Sequence, residues 1–569
     1  MTDITRGLVD CVNLRARQSP VGAAFTEVTF PGIRVEGARR TLTWSQLRRR
    51  ALVVAGQLSG YVSPGDRVAI MLPQGLDYVT AFLACLYVRA IAVPLPAHGR
   101  QPARAARVLA DCAPAVVLAD ARSSSDVRQW TKEQGLGCRT VLPVDDLPDS
   151  VPRGAFPPTD PGSVAYLHYT SGTGGATVGL MVSHSSLATN ARQAARAYLA
   201  GLDATKVTGV SWLPLFQGLG LVMGIALPLI AGFPSTLMDQ SAFLQKPLRW
   251  LRLLSESPGA ITAAPNSAYD YCVDRIRYAD AQSVELSRVG TLISSGEPVR
   301  ASTLRRFQRA FGPAGLRPEA LCPSYSLAAG TALVSAKPMG TRPQEFRFKR
   351  STLTQGLLGN ASADDRAAVR VVSCGTPTGQ RVCVVRSGSR TLADDGEIGE
   401  VLVRGPNVAD GYWNHRQMSA RTFGIAVRGA PGRWMRTGDI GAMHNGQLLV
   451  TARGEELITV GGRVHAPYEV EEDVQRAIRW IERDRLAAFS IRSPGAASDR
   501  AVVVAEYRRG AAPREDDRRK AARMARLIVS RRHGLHLSSV ELFPPGSLPR
   551  TPSGAVSRSA CRKMYVKGW

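Results

Sequence analysis

Several familiar signatures are missing from this sequence, and each gap narrows what the protein can be. Cysteine is sparse: the nine residues lie far apart, form no CxxC pair and make an odd total. That fits reduced, buried thiols in a cytosolic protein and argues against a disulfide framework or a zinc site. No basic zipper, zinc-ligand spacing or RNA-binding signature accompanies the positive charge, so nucleic acid is not the expected partner. No internal repeat is visible. The opening stretch, MTDITRGLVDCVNLRARQSP, lacks the apolar core of a signal peptide, and the most apolar run, Val79 to Pro96, is interrupted by Arg89 and ends in prolines. The expectation is a soluble, cytoplasmic protein without an integral membrane segment. Acidic residues are also in deficit, 46 against 72 basic ones, for a formal charge of +26. The cations are mostly arginine, denser near Arg300 to Arg309 and Arg508 to Arg532. Their long-range field suits an anionic partner such as a nucleotide or an acidic carrier protein.

What is present reads as α/β. A chain of 569 residues exceeds the usual size of one core, so two or more domains are expected. In TLTWSQLRRRALVVAGQLSG, residues Leu47, Ala51, Val54 and Leu58 recur three or four apart behind a Thr/Ser start, the pattern of an N-capped amphipathic helix. DRVAIMLPQ then reads as a buried strand, LDYVTAFLACLYVRA as a helix and IAVPLP as a strand, and ARAARVLADCAPAVVLADA repeats helix and strand. Such alternation builds a parallel or mixed sheet covered on both faces. The rhythm returns over 260–340, is interrupted by a polar, less periodic insertion near 337–371, and gives way over 373–451 to short β-rich runs. Beyond about Arg453 the composition turns helical and basic. The expected fold is therefore a large region of two α/β subdomains plus a β subdomain over 1–451, then a small mobile α+β domain over 452–569.

One stretch stands out chemically. In LHYTSGTGGATVGLMVSH, Leu167 to His184, Gly172, Gly174, Gly175 and Gly179 free the backbone to turn tightly, and Thr170, Ser171 and Thr173 offer hydroxyls beside exposed N–H groups. This composition suits phosphate oxygens. It also suits an ordinary turn, since it matches neither GxxxxGK[ST] nor GxGxxG.

The order of motifs along the chain decides between them. YTSGT with VGLMVSH, WLPLFQGLGL, APNSAYDYCV, SSGEPVRASTLRRF, LRPEALCPSYSLA, VVSCG, GEIGEVLVRGPNVADGYWN, RTGDIG and SLPRTPSGAVSR follow one another over essentially the whole length. In this the chain resembles the fatty acyl-AMP ligases, a branch of the adenylate-forming superfamily that also holds acyl-CoA synthetases, and the 337–371 insertion favours the ligase branch. The resemblance implies joining a fatty acid to ATP to give an acyl-adenylate and pyrophosphate, then handing the acyl group to an acyl carrier protein. Carboxylate attack on the α-phosphorus requires backbone N–H groups, Mg²⁺ and a cation to offset growing charge, and the second step requires the small domain to swing.

The resemblance assigns nucleotide binding to Thr170, Ser171, Gly172, Thr173, Gly174 and Gly175 over the phosphates. Tyr325, with Ser326 beside it, falls where an aromatic stacks on adenine, Glu297 at the pocket edge, Asp439 on the ribose hydroxyls and Arg453 at the hinge. The reacting positions depart from the pattern. Ala329 stands where a glutamate binds Mg²⁺, and a methyl offers no oxygen to a hard cation. Ala555 stands where a lysine reaches both carboxylate and α-phosphate, Gln217 and Gly218 replace His-Asp, Gly174 replaces a hydroxyl, Glu455 replaces a lysine and Val464 an asparagine. Arg550, Arg558 and Lys563 lie near Ala555 in sequence, but a solvated C-terminal face is their expected place. Losing one transition-state contact costs about 10² to 10³ in rate, and losing a metal ligand and a lysine together on the order of 10⁴. Ground-state stacking and ribose contacts make no such demand. Three functions follow as expectations: an impaired acyl-AMP ligase, a pseudo-enzyme that binds nucleotide or acyl-adenylate, or an acyl-transfer or condensation enzyme that needs no ATP. ATP or AMP is the expected ligand; a Mg²⁺ site is in doubt and no other metal is expected.

Overall fold

The computed structural model describes residues 6–32, 36–148, 150–152, 154, 156–171, 177–365, 367–460, 463–491, 499–511, 513–551 and 554–569. Local sequence chemistry starts the fold where expected. Thr43 accepts from the Gln46 N–H while Gln46 reaches back to the Thr43 N–H, and this reciprocal cap launches the helix Trp44–Ser59. The apolar repeat behind it, Leu47, Ala51, Val54 and Leu58, is wholly buried. Arg89 stops the long apolar run by adopting a left-handed turn between the helix Leu76–Tyr87 and the strand Ile91–Pro94.

Two large sheets result. The strands Arg67–Ile70, Ile91–Pro94, Val116–Ala119 and Thr140–Pro143 pair in parallel. On the far side of Ile91–Pro94 the strand Val164–Ser171 is parallel to it, and Thr177–Ser183 closes the six-stranded sheet as the antiparallel arm of a hairpin. A nine-stranded sheet carries Leu321–Ser326, Thr291–Ser294, Ala260–Ala264, Thr208–Ser211 and Ser235–Met238 in parallel at its centre, with antiparallel strands at both margins. Continuous buried runs in these central strands are what a doubly covered parallel sheet demands. A five-stranded antiparallel sheet follows, built around the long strand Ala430–His444. The segment expected to be least regular is partly ordered: Glu345–Phe348 pairs with Val369–Val372 around a short helix, Arg350–Leu353.

From Ile458 onward the chain builds a separate core. The strands Ile481–Ile491, Arg500–Tyr507 and Leu537–Phe543 form a mixed sheet. The helices Pro467–Ala477 and Glu515–His533 bury Val470, Val474, Ala521, Ala525 and Val529 against it. Among the described residues no helix is long and apolar enough to cross a membrane.

The nine-stranded sheet is anchored by an aromatic nest in which Trp212 stacks on Phe243 with ring centroids 3.9 Å apart and Trp250 meets both edge-on. Trp250 is fully buried and its indole N–H donates to the Thr262 hydroxyl at 3.1 Å. Trp250→Ala is expected to lower stability by about 3–5 kcal/mol through the cavity it leaves, read as a lower urea midpoint for the main unfolding transition.

Candidate active site

The hairpin of the six-stranded sheet brings the glycine-rich stretch to the site. Its arms are in register up to Ser171 opposite Thr177. The hairpin is held rigid by Tyr169, whose ring lies across Gly179 so closely that a Cβ there would sit 2.9 Å from it, and whose hydroxyl donates to Asp111 at 2.6 Å. Thr170 faces the main cleft. Gly172, Thr173, Gly174 and Gly175 lie outside the described residues, as does the side chain of Ser171.

That cleft, about 1310 Å³, runs between the large sheets, the β subdomain and the C-terminal unit. Its size exceeds that of an ordinary small-molecule pocket. Thr170, Gln217, Glu297, Ser326, Ala329, Asp439, Arg453 and Ala555 all line it, so residues scattered over almost four hundred positions of sequence meet in one place. Val464, by contrast, lies in the short strand Arg463–His465 and is exposed.

Among the nucleotide-type residues Tyr325 and Asp439 are buried together, while Arg453 beside them is exposed. Asp439 on the strand Ala430–His444 sits directly opposite Arg453 across an antiparallel pair. The Tyr325 hydroxyl donates to the Asp439 carboxylate from behind. Burial pushes the Asp439 carboxyl above its ordinary pKa, with Arg453 and the Tyr325 hydrogen bond opposing it. Burial works against the Arg453 charge, but Asp439, Glu456 and Glu455 outweigh it and raise its pKa. Ser326 joins through Ser295, whose hydroxyl lies 2.9 Å from its own. Glu297 also serves the local fold, because its two oxygens accept from the Ser267 N–H and hydroxyl at 2.9 and 3.0 Å and so cap the first turn of the helix Asn266–Arg275.

The substituted positions face the same space. Ala329 lies in the turn Ala328–Gly330 and is 8% exposed, so the cleft floor presents a methyl there and no hard-cation ligand. Ala555 lies on the closing loop, where its carbonyl accepts from the Thr551 N–H at 2.8 Å. Glu455 also lines the cleft. A solvated face is where Lys563 and Arg550 lie, but not Arg558. Arg550 borders the cleft 3.8 Å from Glu506 but stays exposed, as expected. Arg558 is nearly buried, because Glu471 receives it with two bonds of 2.7 Å and Glu456 with one of 2.8 Å, which corrects the expectation. The spacing of these carboxylates along the chain carried no sign of it.

One residue of the site has no counterpart in the sequence reasoning. His168, on the strand leading to the hairpin tip, accepts from the Gly218 N–H through Nε2 at 3.1 Å, so its proton belongs on Nδ1. Gly218 is what admits the ring, since a Cβ there would lie 2.7 Å from His168 Cε1 and 3.0 Å from the Thr331 carbonyl. Burial, helped by the positive charge of Arg104, lowers the imidazole pKa to about 4.

The architecture and this cleft are those of an adenylate-forming enzyme. The family model described as AMP-binding enzyme matches residues 15–413, and the chain belongs to that family. Within it the similarity is to the fatty acyl-AMP ligases. Long-chain-fatty-acid--AMP ligase FadD26 of Mycobacterium marinum is 37% identical over 575 residues, covering 98% of this chain and 97% of the relative. A structure from a study of fatty acyl-adenylate ligases of E. coli and L. pneumophila superposes with a TM-score of 0.86 at 26% identity, covering 99% of this chain and 97% of that one. The fatty acyl-adenylate ligase of L. pneumophila in complex with acyl adenylate and pyrophosphate matches with a TM-score of 0.73 at 27% identity, covering 98% and 96%.

His168 makes the site sensitive to acid. Its folded pKa of about 4 lies below the ordinary 6.5, so between those values the unfolded chain takes a proton that the folded one refuses. Stability is therefore present above pH 6.5 and falls toward pH 4, by at most about 3 kcal/mol from this group. His168→Gln is expected to flatten the loss of urea stability between pH 7 and pH 4.5 relative to wild type.

Proposed function

We propose that this protein is a fatty acyl-AMP ligase that keeps the family's grip on the adenylate and has lost much of its power to form it. The observation that carries this reading is that Ala329 and Ala555 face the same cleft as Asp439 and Arg453, with Tyr325 buried behind Asp439. A methyl at each position removes an electrostatic contact needed in the transition state, while hydrogen bonding and stacking in the bound state are left in place. The relative solved with acyl adenylate and pyrophosphate supports the ligand class, and the fatty-acid ligases among the relatives support the acyl group. The reading takes 1–451 as the adenylate-forming domain, with its insertion near 337–371, and 452–569 as a mobile cap, an acyl carrier protein as acceptor and the cytoplasm as location. The separate core beyond Ile458 supports that division.

A second reading, a non-catalytic holder of acyl-adenylate, draws support from ion pairs that tie the C-terminal unit to the large region: Arg300 to Asp484 at 2.8 Å and Arg350 to Glu469 at 2.7 Å. Contacts that hold the cleft covered suit retention of a ligand as well as turnover.

Fatty-acid-dependent pyrophosphate release separates the two. The ligase reading expects slow release with a preferred chain length, rising about 10² to 10³-fold in Ala555→Lys. No release at any chain length, before or after that substitution, leaves only the holder. By calorimetry AMP and a non-hydrolysable acyl-adenylate analogue are expected to bind more tightly than ATP with Mg²⁺; the reverse order overturns the proposed division between grip and chemistry.

A further inference from the structure

The strand Ile481–Ile491 loses register with its neighbour between Ile481 and Leu486. The slack is taken up by four residues of alternating charge, Glu482, Arg483, Asp484 and Arg485, with Asp484 in a left-handed conformation at φ 53°. A non-glycine residue there costs on the order of 1 kcal/mol and persists only where its surroundings hold it. Here they do. Glu482 lies 3.8 Å from Arg275, Arg483 lies 3.8 Å from Asp274, and Asp484 lies 2.8 Å from Arg300, three opposite charges on the large N-terminal region.

The fourth residue breaks the pattern. Arg485 has no carboxylate within 4 Å among the described residues, and the one bond it makes is from Nη1 to the Gly554 carbonyl at 3.0 Å. Gly554 immediately precedes Ala555, and Arg485 lines the cleft with it. Burial lowers its pKa, with Arg550 adding to the shift and the more distant charges of Glu506, Asp484 and Glu482 opposing it. A half-buried guanidinium at the cleft wall with most of its five donors unspent can receive an anion there.

We propose that Arg485 receives the α-phosphate of the bound adenylate, standing beside Ala555 and supplying from the strand bulge the charge that the closing loop lacks. The assignment rests on the proposed adenylate-binding function. It differs from a transplanted lysine in two ways. The planar fork binds two phosphate oxygens at once, and its position depends on the cap being clamped down through Asp484 and Arg300.

The test compares AMP with adenosine by calorimetry on the full-length protein, since only the first carries the phosphate. Arg485→Ala is expected to weaken AMP about 10- to 100-fold, the loss of a charge-assisted contact, and to leave adenosine unchanged. Arg485→Lys is expected to recover part of that loss. Circular dichroism confirms that each variant is folded. Wild-type protein that binds AMP no better than adenosine, or an Arg485→Ala variant that loses both equally or neither, overturns the assignment while leaving nucleotide binding standing. Wild-type protein that binds neither ligand overturns the adenylate reading as well.

Discussion

The buried hydrogen bond from Tyr325 to Asp439, with Arg453 opposite on the neighbouring strand, is the constraint around which the molecule is arranged. Tyr325 comes from a central strand of the nine-stranded sheet, Asp439 from the long strand of the β subdomain, and Arg453 from the last residue before the C-terminal unit begins to form. Two parts of the chain are therefore joined at one carboxylate, and the third runs alongside it. Removing the Tyr325 hydroxyl would leave a buried carboxylate without its donor, at a cost of about 1–3 kcal/mol. The same carboxylate faces the cleft, so the contact that binds the parts together also offers an acceptor to a ligand.

Around that point the excess of arginine takes on a different meaning from the one its number conveys. A formal charge of +26 describes a field at long range. At short range many of these cations are spent inside the molecule, Arg558 between Glu471 and Glu456, Arg300 on Asp484, Arg306 on Asp270 and Asp274. A single exposed ion pair contributes little, but pairs sheltered in a cleft and distributed along one interface act together. Two such pairs, Arg300 with Asp484 and Arg350 with Glu469, join the C-terminal unit to the large region, so they both cover the cleft and resist its opening. Slow chemistry and a firmly closed cap are compatible in a way that fast turnover and a firm cap are not.

The local fold was largely legible because it follows from short-range rules. The Thr43 and Gln46 cap, the three-and-four spacing of Leu47 to Leu58, and the bounded apolar runs that became parallel strands can all be read without knowing what they touch. The insertion near 337–371 was harder, because the pairing of Glu345–Phe348 with Val369–Val372 joins segments too far apart for periodicity to link. Arg558 was misplaced for the same reason. A charged residue in a basic tail looks solvated until the helix Pro467–Ala477 and the turn Gly454–Glu456 bring Glu471 and Glu456 to it. His168 gave no signal, since the glycine that admits its ring is fifty residues away.

The sequence by itself determined the family, the order of the elements and the chemical identity of each position in the cleft, including the methyl groups at Ala329 and Ala555, because these depend only on which residue stands where. The tertiary structure decided which charges meet. Whether Arg485 is spent on a carboxylate or left facing the cleft depends on a one-strand loss of register and on the neighbours it puts opposite Arg275, Asp274 and Arg300. Electrostatic energy depends on distance and on exclusion of water, and neither exists until the chain has folded.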